Sequence, residues 1–329
     1  MRMRLVPEIT NWDFFGRSKL WLGVSALMMV VAFVSFLLQG LNYGIDFRGG
    51  TTIRTESAQP VDVGAYRDAL AALELGDVVI SEVFDPNFGP EQNVAMIRIG
   101  AQDGEEAVST EVIETAEAAL LEISPDIKFV SVESVGPKVS GELIRTAAIA
   151  VALAIGAVLV YIWLRFEWQF AVGAIIATTH DVLLTIGMFV VTGLEFNLSS
   201  IAAILTIVGY SLNDTVVVYD RVRENLRRYK KMSLPELLDL SMNQTLPRTI
   251  QTSLTTVLAL LALFFFGGEV LQSFVAAMIF GVVVGTYSSI FIAAPLLILF
   301  RLRPSALDKA EDKEKQATAN TQPVDLGTS

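Results

Sequence analysis

The chain has no cysteine and a single histidine. That excludes disulfides, thiol nucleophiles and thiolate metal sites, and one imidazole is too few for the usual multi-histidine zinc cage. No GxxxxGKS or GxxxxGKT loop is present, so nothing in the sequence is built to cradle ATP. Charge is scarce as well. Asp, Glu, Lys and Arg make up 18% of 329 residues, against 53% hydrophobic residues and a mean hydropathy of +0.53. This composition points to a polytopic α-helical membrane protein and away from a soluble one. Any work such a chain performs draws on a source other than ATP.

A helix needs about 20 mostly apolar residues to cross about 30 Å of hydrocarbon. Six stretches qualify, over 20–39, 144–164, 170–192, 199–219, 249–267 and 271–300. The first, LWLGVSALMMVVAFVSFLL, is too long for a signal peptide and no small-residue cleavage site follows it, so it reads as an anchor. Arg2, Arg4, Arg17 and Lys19 precede span one; Arg221, Arg223, Arg227, Arg228, Lys230 and Lys231 follow span four; Arg301 and Arg303 follow span six. The turns around Glu195 and Glu269 hold neither Lys nor Arg. The positive-inside rule then places both termini in the cytoplasm. The expected division is a cytoplasmic N-terminus (1–19), span one (20–39), a periplasmic domain (40–141), a bundle of five spans (142–303) with a cytoplasmic segment at 220–247, and a tail (304–329) of disordered composition.

Residues 40–141 hold 6 basic and 18 acidic residues, a net of −12 against −11 for the whole chain. The acidity belongs to this one domain, which should repel nucleic acid and anionic lipid headgroups alike. Its pattern runs strand (51–57), helix (61–75), strands (77–84 and 93–100) around the turn-rich DPNFGPEQ, helix (105–123), strand (127–135). That βαββαβ order is a ferredoxin-like α+β unit. It carries no catalytic cluster, so a binding or moving part is the natural reading.

An ionisable residue at mid-bilayer costs at least about 2.5–3.5 kcal/mol on insertion scales. His180 and Asp181 fall inside span three, Asp214 inside span four, and Arg248 at the start of span five. Arg248, Gln251, Thr252, Thr255 and Thr256 recur at helical spacing as one polar stripe. Ser211 sits one turn before Asp214, with Tyr210 and Asn213 nearby. The simplest arrangement pairs Asp214 with Arg248 across facing helices. A static buried pair fixing helix packing and an ion-binding carboxylate in a transport path both fit this pattern, and for His180–Asp181 interhelical glue fits equally well. Gly281 and Gly285 form a GxxxG expected to set close packing, Pro295 marks a kink in span six, and Ser233 with Glu236 reads as a capping box opening a short interfacial helix before span five.

These motifs resemble the SecD/SecF protein-export family of the RND superfamily, on the side of its smaller SecF-like member. The likeness covers about residues 10–303. It rests on YGIDFRGG (43–50), SVGPKVSGEL (134–143), HDVLLTIG (180–187), VGYSLNDTVVVYDRVREN (208–225), TLPRTIQTS (245–253) and FFGG (265–268). The resemblance implies an RND-type half of six spans, a SecD partner supplying the related other half, association with the SecYEG channel and YajC, and unfolded preproteins as cargo in the bacterial inner membrane. It implies a proton, or sodium, as the transported ion, no bound cofactor or metal and no enzymatic activity. Asp214 and Arg248 match the family's ion-coupling positions, with His180, Asp181, Ser211, Asn213, Gln251 and Thr252 as supporting polar groups. In this picture ionised Asp214 pairs with Arg248 and protonation releases it. The resulting helix movement reaches the external domain through Gly44, Asp46, Gly49 and Gly50 of one linker and Gly136 and Pro137 of the other. A small-molecule efflux half, a purely structural stabiliser of SecD, and an intramembrane aspartyl protease using Tyr219–Asp220 are the rival readings.

Overall fold

The computed structural model describes residues 10–73, 75–76, 78–83, 92–100, 108–267, 271–300 and 302. The tail from 304, most of the DPNFGPEQ turn and residues 105–107 of the expected second domain helix lie outside these. Chain order begins with α1 (Ser18–Gln39), closed by Gly40 at φ 70°, and a single helical turn α2 (Ile45–Arg48). Gly49 and Gly50 follow at φ 73° and 125°, values that a Cβ opposes, and they turn the chain into the external domain.

That domain is built as expected. Strands β1 (Gly50–Ser57), β2 (Val78–Val83), β3 (Asn93–Gly100) and β4 (Lys128–Val135) alternate with helices α3 (Val63–Ala71) and α4 (Thr110–Leu121). The sheet order is β2-β3-β1-β4 with every neighbouring pair antiparallel, and Ile53 on the central β1 stands opposite both Ile97 and Val132. The inward face of β1 and β3 joins Tyr66 and Leu70 of α3 and Leu120 of α4 in one core. Asp62 caps α3 by accepting from the N–H groups of Gly64 and Ala65, and Ser109 caps α4 through Val112 N–H at 3.3 Å.

The remaining chain is helical: α5 (Pro137–Arg165), α6 (Trp168–Thr192), α7 (Leu198–Arg228), α8 (Leu234–Phe266), α9 (Gln272–Ser288), a π-helical turn (Ser289–Ala293) and α10 (Ala294–Leu299). Among the described residues six helices are long and apolar enough to cross a membrane: α1, α5, α6, α7, α8 and the continuous run α9–π–α10. The buried share is 50%, 50% and 61% for α6, α7 and the last span, but only 11%, 11% and 6% for α1, α5 and α8. The core therefore sits among α6, α7 and α9, with the other three laid around it. Glycine permits that closeness. A Cβ on Gly281 would strike the Ile207 side chain, one on Gly187 would strike Ala32 of α1, and one on Gly285 would lie 3.1 Å from Ser211 Cβ. The GxxxG of the last span thus packs against α7, as its spacing predicts.

One expectation about the helices needs correction. No separate interfacial helix precedes span five. The capping box is present, with Glu236 accepting from Ser233 N–H at 3.4 Å, but the helix it opens runs unbroken through Pro247. Proline leaves the carbonyl of Asn243 without its i+4 donor, and Thr10 Oγ1 approaches that carbonyl at 3.4 Å. Asn243 and Asp239 also bind the backbone of Trp12 and Phe14, so the segment before α1 is fastened to the first turns of α8. Pro295 directly follows a departure from α-geometry in the last span, the π turn at Ser289–Ala293, whose Ala293 carbonyl accepts from the buried Tyr219 hydroxyl at 3.0 Å.

Candidate functional site

Two carboxylates are buried where α6, α7 and the π turn meet. Asp214 on α7 is 7% exposed. Thr249 Oγ1 on α8 donates to its Oδ1 at 2.8 Å and Ser289 Oγ to its Oδ2 at 2.6 Å. Asp181 on α6 is fully buried. Its Oδ2 accepts from Ser211 at 2.5 Å and from Ser288 at 2.7 Å, and its Oδ1 lies 2.9 Å from His180 Nδ1. Apart from that imidazole, every donor to these two groups among the described residues is a neutral hydroxyl, a group that bonds between membrane helices.

The expected Asp214–Arg248 pair is not made. Among the described residues no ion pair joins them, and the side chain of Arg248 is exposed while its neighbour Thr249 points inward to the carboxylate. One residue is a rotation of 100° on a helix, so the two cannot share a direction. Gln251, Thr252 and Thr255 follow Arg248 onto the same exposed face of α8, and Asn213 is exposed on α7. Of the supporting residues, Ser211, His180 and Asp181 join one buried cluster, whereas Asn213, Gln251 and Thr252 do not reach Asp214. Sequence reasoning did not single out Thr249, Ser288 or Ser289. A threonine beside an arginine and two serines in an apolar run carry little signal until the helices are placed.

The linker residues are seated rather than free. Phe196 N–H donates to the Asn42 carbonyl at 2.7 Å and Gly44 N–H to the Phe196 carbonyl at 2.9 Å, which lays the linker along the α6–α7 turn. A Cβ on Gly44 would run into the Glu195 carboxyl. Asp46 accepts from Leu198 N–H at the start of α7. Arg98 on β3 forms an ion pair with Glu195 in the same turn. On the other side Gly136 caps α5, which opens at Pro137, and Ser140 Oγ donates to the Ile45 carbonyl at 3.3 Å. The external domain therefore touches the bundle at the end of the helix that carries Asp214.

Fold and site together define a multi-pass membrane protein with an α+β domain between its first two spans and carboxylates buried at its centre. The family described as protein export membrane protein SecD/SecF, C-terminal, matches residues 115–303, and the SecD/SecF GG motif matches residues 34–61 around Gly49–Gly50. The chain belongs to the SecD/SecF family. It is 56% identical to the protein translocase subunit SecF of Cereibacter sphaeroides over 90% of this chain and 92% of that protein. The protein translocase subunit SecDF of Brucella abortus is 43% identical over 94% of this chain, which spans only 40% of that longer protein. The crystal structure of SecDF from Thermus thermophilus, described as a translocon-associated membrane protein, superposes with a TM-score of 0.81 at 35% identity. It covers 92% of this chain, again 40% of its own.

Proposed function

We propose that this chain is the ion-coupling SecF half of a SecD–SecF pair that uses the proton motive force to draw preproteins across the bacterial inner membrane. One observation carries this reading: Asp214, buried and held among the described residues only by hydroxyls, lies on the helix whose far end is fixed to the external domain through Asp46. A carboxylate with no cation in contact can take up a proton without first breaking an ion pair. Its hydroxyl partners can then reverse, donating to the charged form and accepting from the neutral one. Arg248 acts through its field rather than by contact. The change is passed along α7 to the turn gripped by Asp46 and Arg98.

The exposed polar face formed by Arg248, Gln251, Thr252 and Thr255 is costly against lipid and suits a second six-helix half as its cover. The SecDF proteins that span more than twice this chain's length support SecD in that role. SecYEG and YajC are the further partners of this reading, and both termini are cytoplasmic. One charge moving through 100 mV supplies about 2.3 kcal/mol, whereas reversing a switch from 1:99 to 99:1 needs about 5.5 kcal/mol. More than one ion per stroke, or a chemical gradient added to the electrical one, is therefore required. Export into inverted vesicles, with proton and sodium gradients collapsed separately, tests the assignment. Loss on collapsing the proton gradient alone is expected. Loss with sodium alone reassigns the ion, and indifference to both overturns the coupling.

A further inference from the structure

Span three carries a buried acid–base pair for which the reading above has no use. His180 and Asp181 are both 0% exposed, and their Nδ1 and Oδ1 atoms lie 2.9 Å apart. With Asp181 ionised, Nδ1 is the atom that carries the proton and donates it. That leaves Nε2 as the free basic nitrogen. Nε2 is buried and meets no hydrogen-bond partner among the described residues. Packing alone does not explain the pair, because an orphaned buried ring nitrogen is itself a cost.

The second observation lies on the last span. Ser288 and Ser289 are consecutive, yet Ser288 donates to Asp181 and Ser289 to Asp214. Each hydroxyl has one proton and a second acceptor within reach. For Ser288 this is the Gly285 carbonyl at 3.1 Å, and for Ser289 the Thr286 carbonyl at 3.0 Å. An ionised carboxylate wins that proton, since a charge-assisted hydrogen bond is about twice as strong as a neutral one. Neutralise the carboxylate and the hydroxyl returns to its own helix. Both choices are made in the turn that leads into the π segment Ser289–Ala293, a departure from α-geometry of the kind found at functional sites.

We propose that His180 and Asp181 form a second proton-holding site of this half, linked to Asp214 through the Ser288–Ser289 pair. A proton from hydronium adds to Nε2; an N–H bond forms, an O–H bond of hydronium breaks and leaves water, and no electron moves. The positive imidazolium beside Oδ1 offsets the charge of Asp181, so the carboxylate no longer holds Ser288 as a full anion does. Ser288 turns toward Gly285, and the altered turn changes how Ser289 meets Asp214. This extends the proton reading above, which asked for more than one ion per stroke. The other titratable groups packed around the pair are few. α9 contributes Tyr287, whose ring centroid is 6.2 Å from that of His180 and whose hydroxyl bonds Ser25 of α1 at 2.9 Å; α7 contributes Asp214. α1 has only Lys19, near its start, and the charged residues of α5 are Lys138, Glu142, Arg145 and Arg165, near its ends; the π turn and α10 have none.

The chain's single histidine makes the test specific. The full chain, labelled with 15N-histidine, is assembled with its unlabelled partner half in bilayers, and the imidazole shifts are followed by solid-state NMR between about pH 5 and pH 8. The carboxyl infrared band lost in Asp214→Asn is titrated on the same samples. The imidazole is expected to pass from its one-proton to its two-proton 15N pattern across that range, and the pH of that change to be displaced in Asp214→Asn, as for coupled sites. In Ser288→Ala, which keeps every titratable group, that displacement should shrink. An imidazole fixed in one state, or a midpoint untouched by Asp214→Asn, overturns the second site. An undiminished displacement in Ser288→Ala overturns the serine link. Should Asp214→Asn fail to assemble, Ser288→Ala decides alone: a moved His180 midpoint supports the proposal and an unmoved one overturns it. If the Asp214 band itself never titrates, the coupling function fails instead.

Discussion

The carboxylate of Asp46 accepts a hydrogen bond from the backbone N–H of Leu198 at 2.9 Å, across 152 residues of sequence. Asn197 already caps α7 through Ser200 N–H. Asp46 thus adds a second acceptor and a negative charge at the positive end of the helix dipole. It is a linker residue that belongs, energetically, to the helix carrying Asp214.

Asp46→Ala should therefore cost about 1 kcal/mol of stability. It should also reduce gradient-dependent export more than that loss explains, because the external domain loses its hold on α7. Thermal unfolding and vesicle export of the same preparation check the two parts. Export falling only in proportion to the folded fraction would reduce Asp46 to a cap.

Gly285 faces Ser211 so closely that an added Cβ would sit 3.1 Å from Ser211 Cβ. Gly285→Ala must push α7 and α9 apart or displace the Ser211 hydroxyl from Asp181. An overpacking cost of about 1–3 kcal/mol is expected, read as earlier unfolding in detergent. An unchanged midpoint would mean the helix pair can yield there.

Much of this was legible in the sequence, for identifiable reasons. The six spans follow from run length, and the sheet from period-two alternation bounded by turns. The central place of Asp214 follows from the cost of a carboxylate at that depth. That Thr249, and not Arg248, would meet Asp214 was not legible. Whether Arg248 or Thr249 faces inward is a question of helix phase, and on a membrane helix a lipid-facing side can be as apolar as a core-facing one. The continuity of α8 was hidden by Pro247, since the relief of its lost hydrogen bond comes from Thr10, far away in sequence. The π turn leaves no pattern that apolar periodicity can reveal.

Glu195 offers a pH-dependent test outside the membrane. Burial raises its carboxyl above the ordinary value of 4.5, Asp46 adds to the rise, and Arg98 opposes it. A raised value means that the folded chain holds this proton more tightly than the unfolded one. The stability it contributes is complete below the ordinary value and fades as pH climbs through the raised one. The Arg98–Glu195 ion pair runs the other way, because it needs the ionised form. On acidification it should be lost at a higher pH than an ordinary glutamate would dictate. Glu195→Gln should abolish that pH dependence in the spacing between β3 and the α6–α7 turn. The wild-type dependence surviving in Glu195→Gln would assign it to another group.

The central claim is that ion exchange at Asp214 moves the external domain, and a distance measured under a gradient tests it most directly. The chain has no cysteine, so cysteines placed at the exposed Glu114 of α4 and Val191 of α6 carry the only spin labels when the chain is assembled with a cysteine-free partner half in vesicles. Wild type should show a distance distribution that shifts when a proton gradient is imposed, and Asp214→Asn should show one that does not respond. The same gradient response in both proteins would contradict the account.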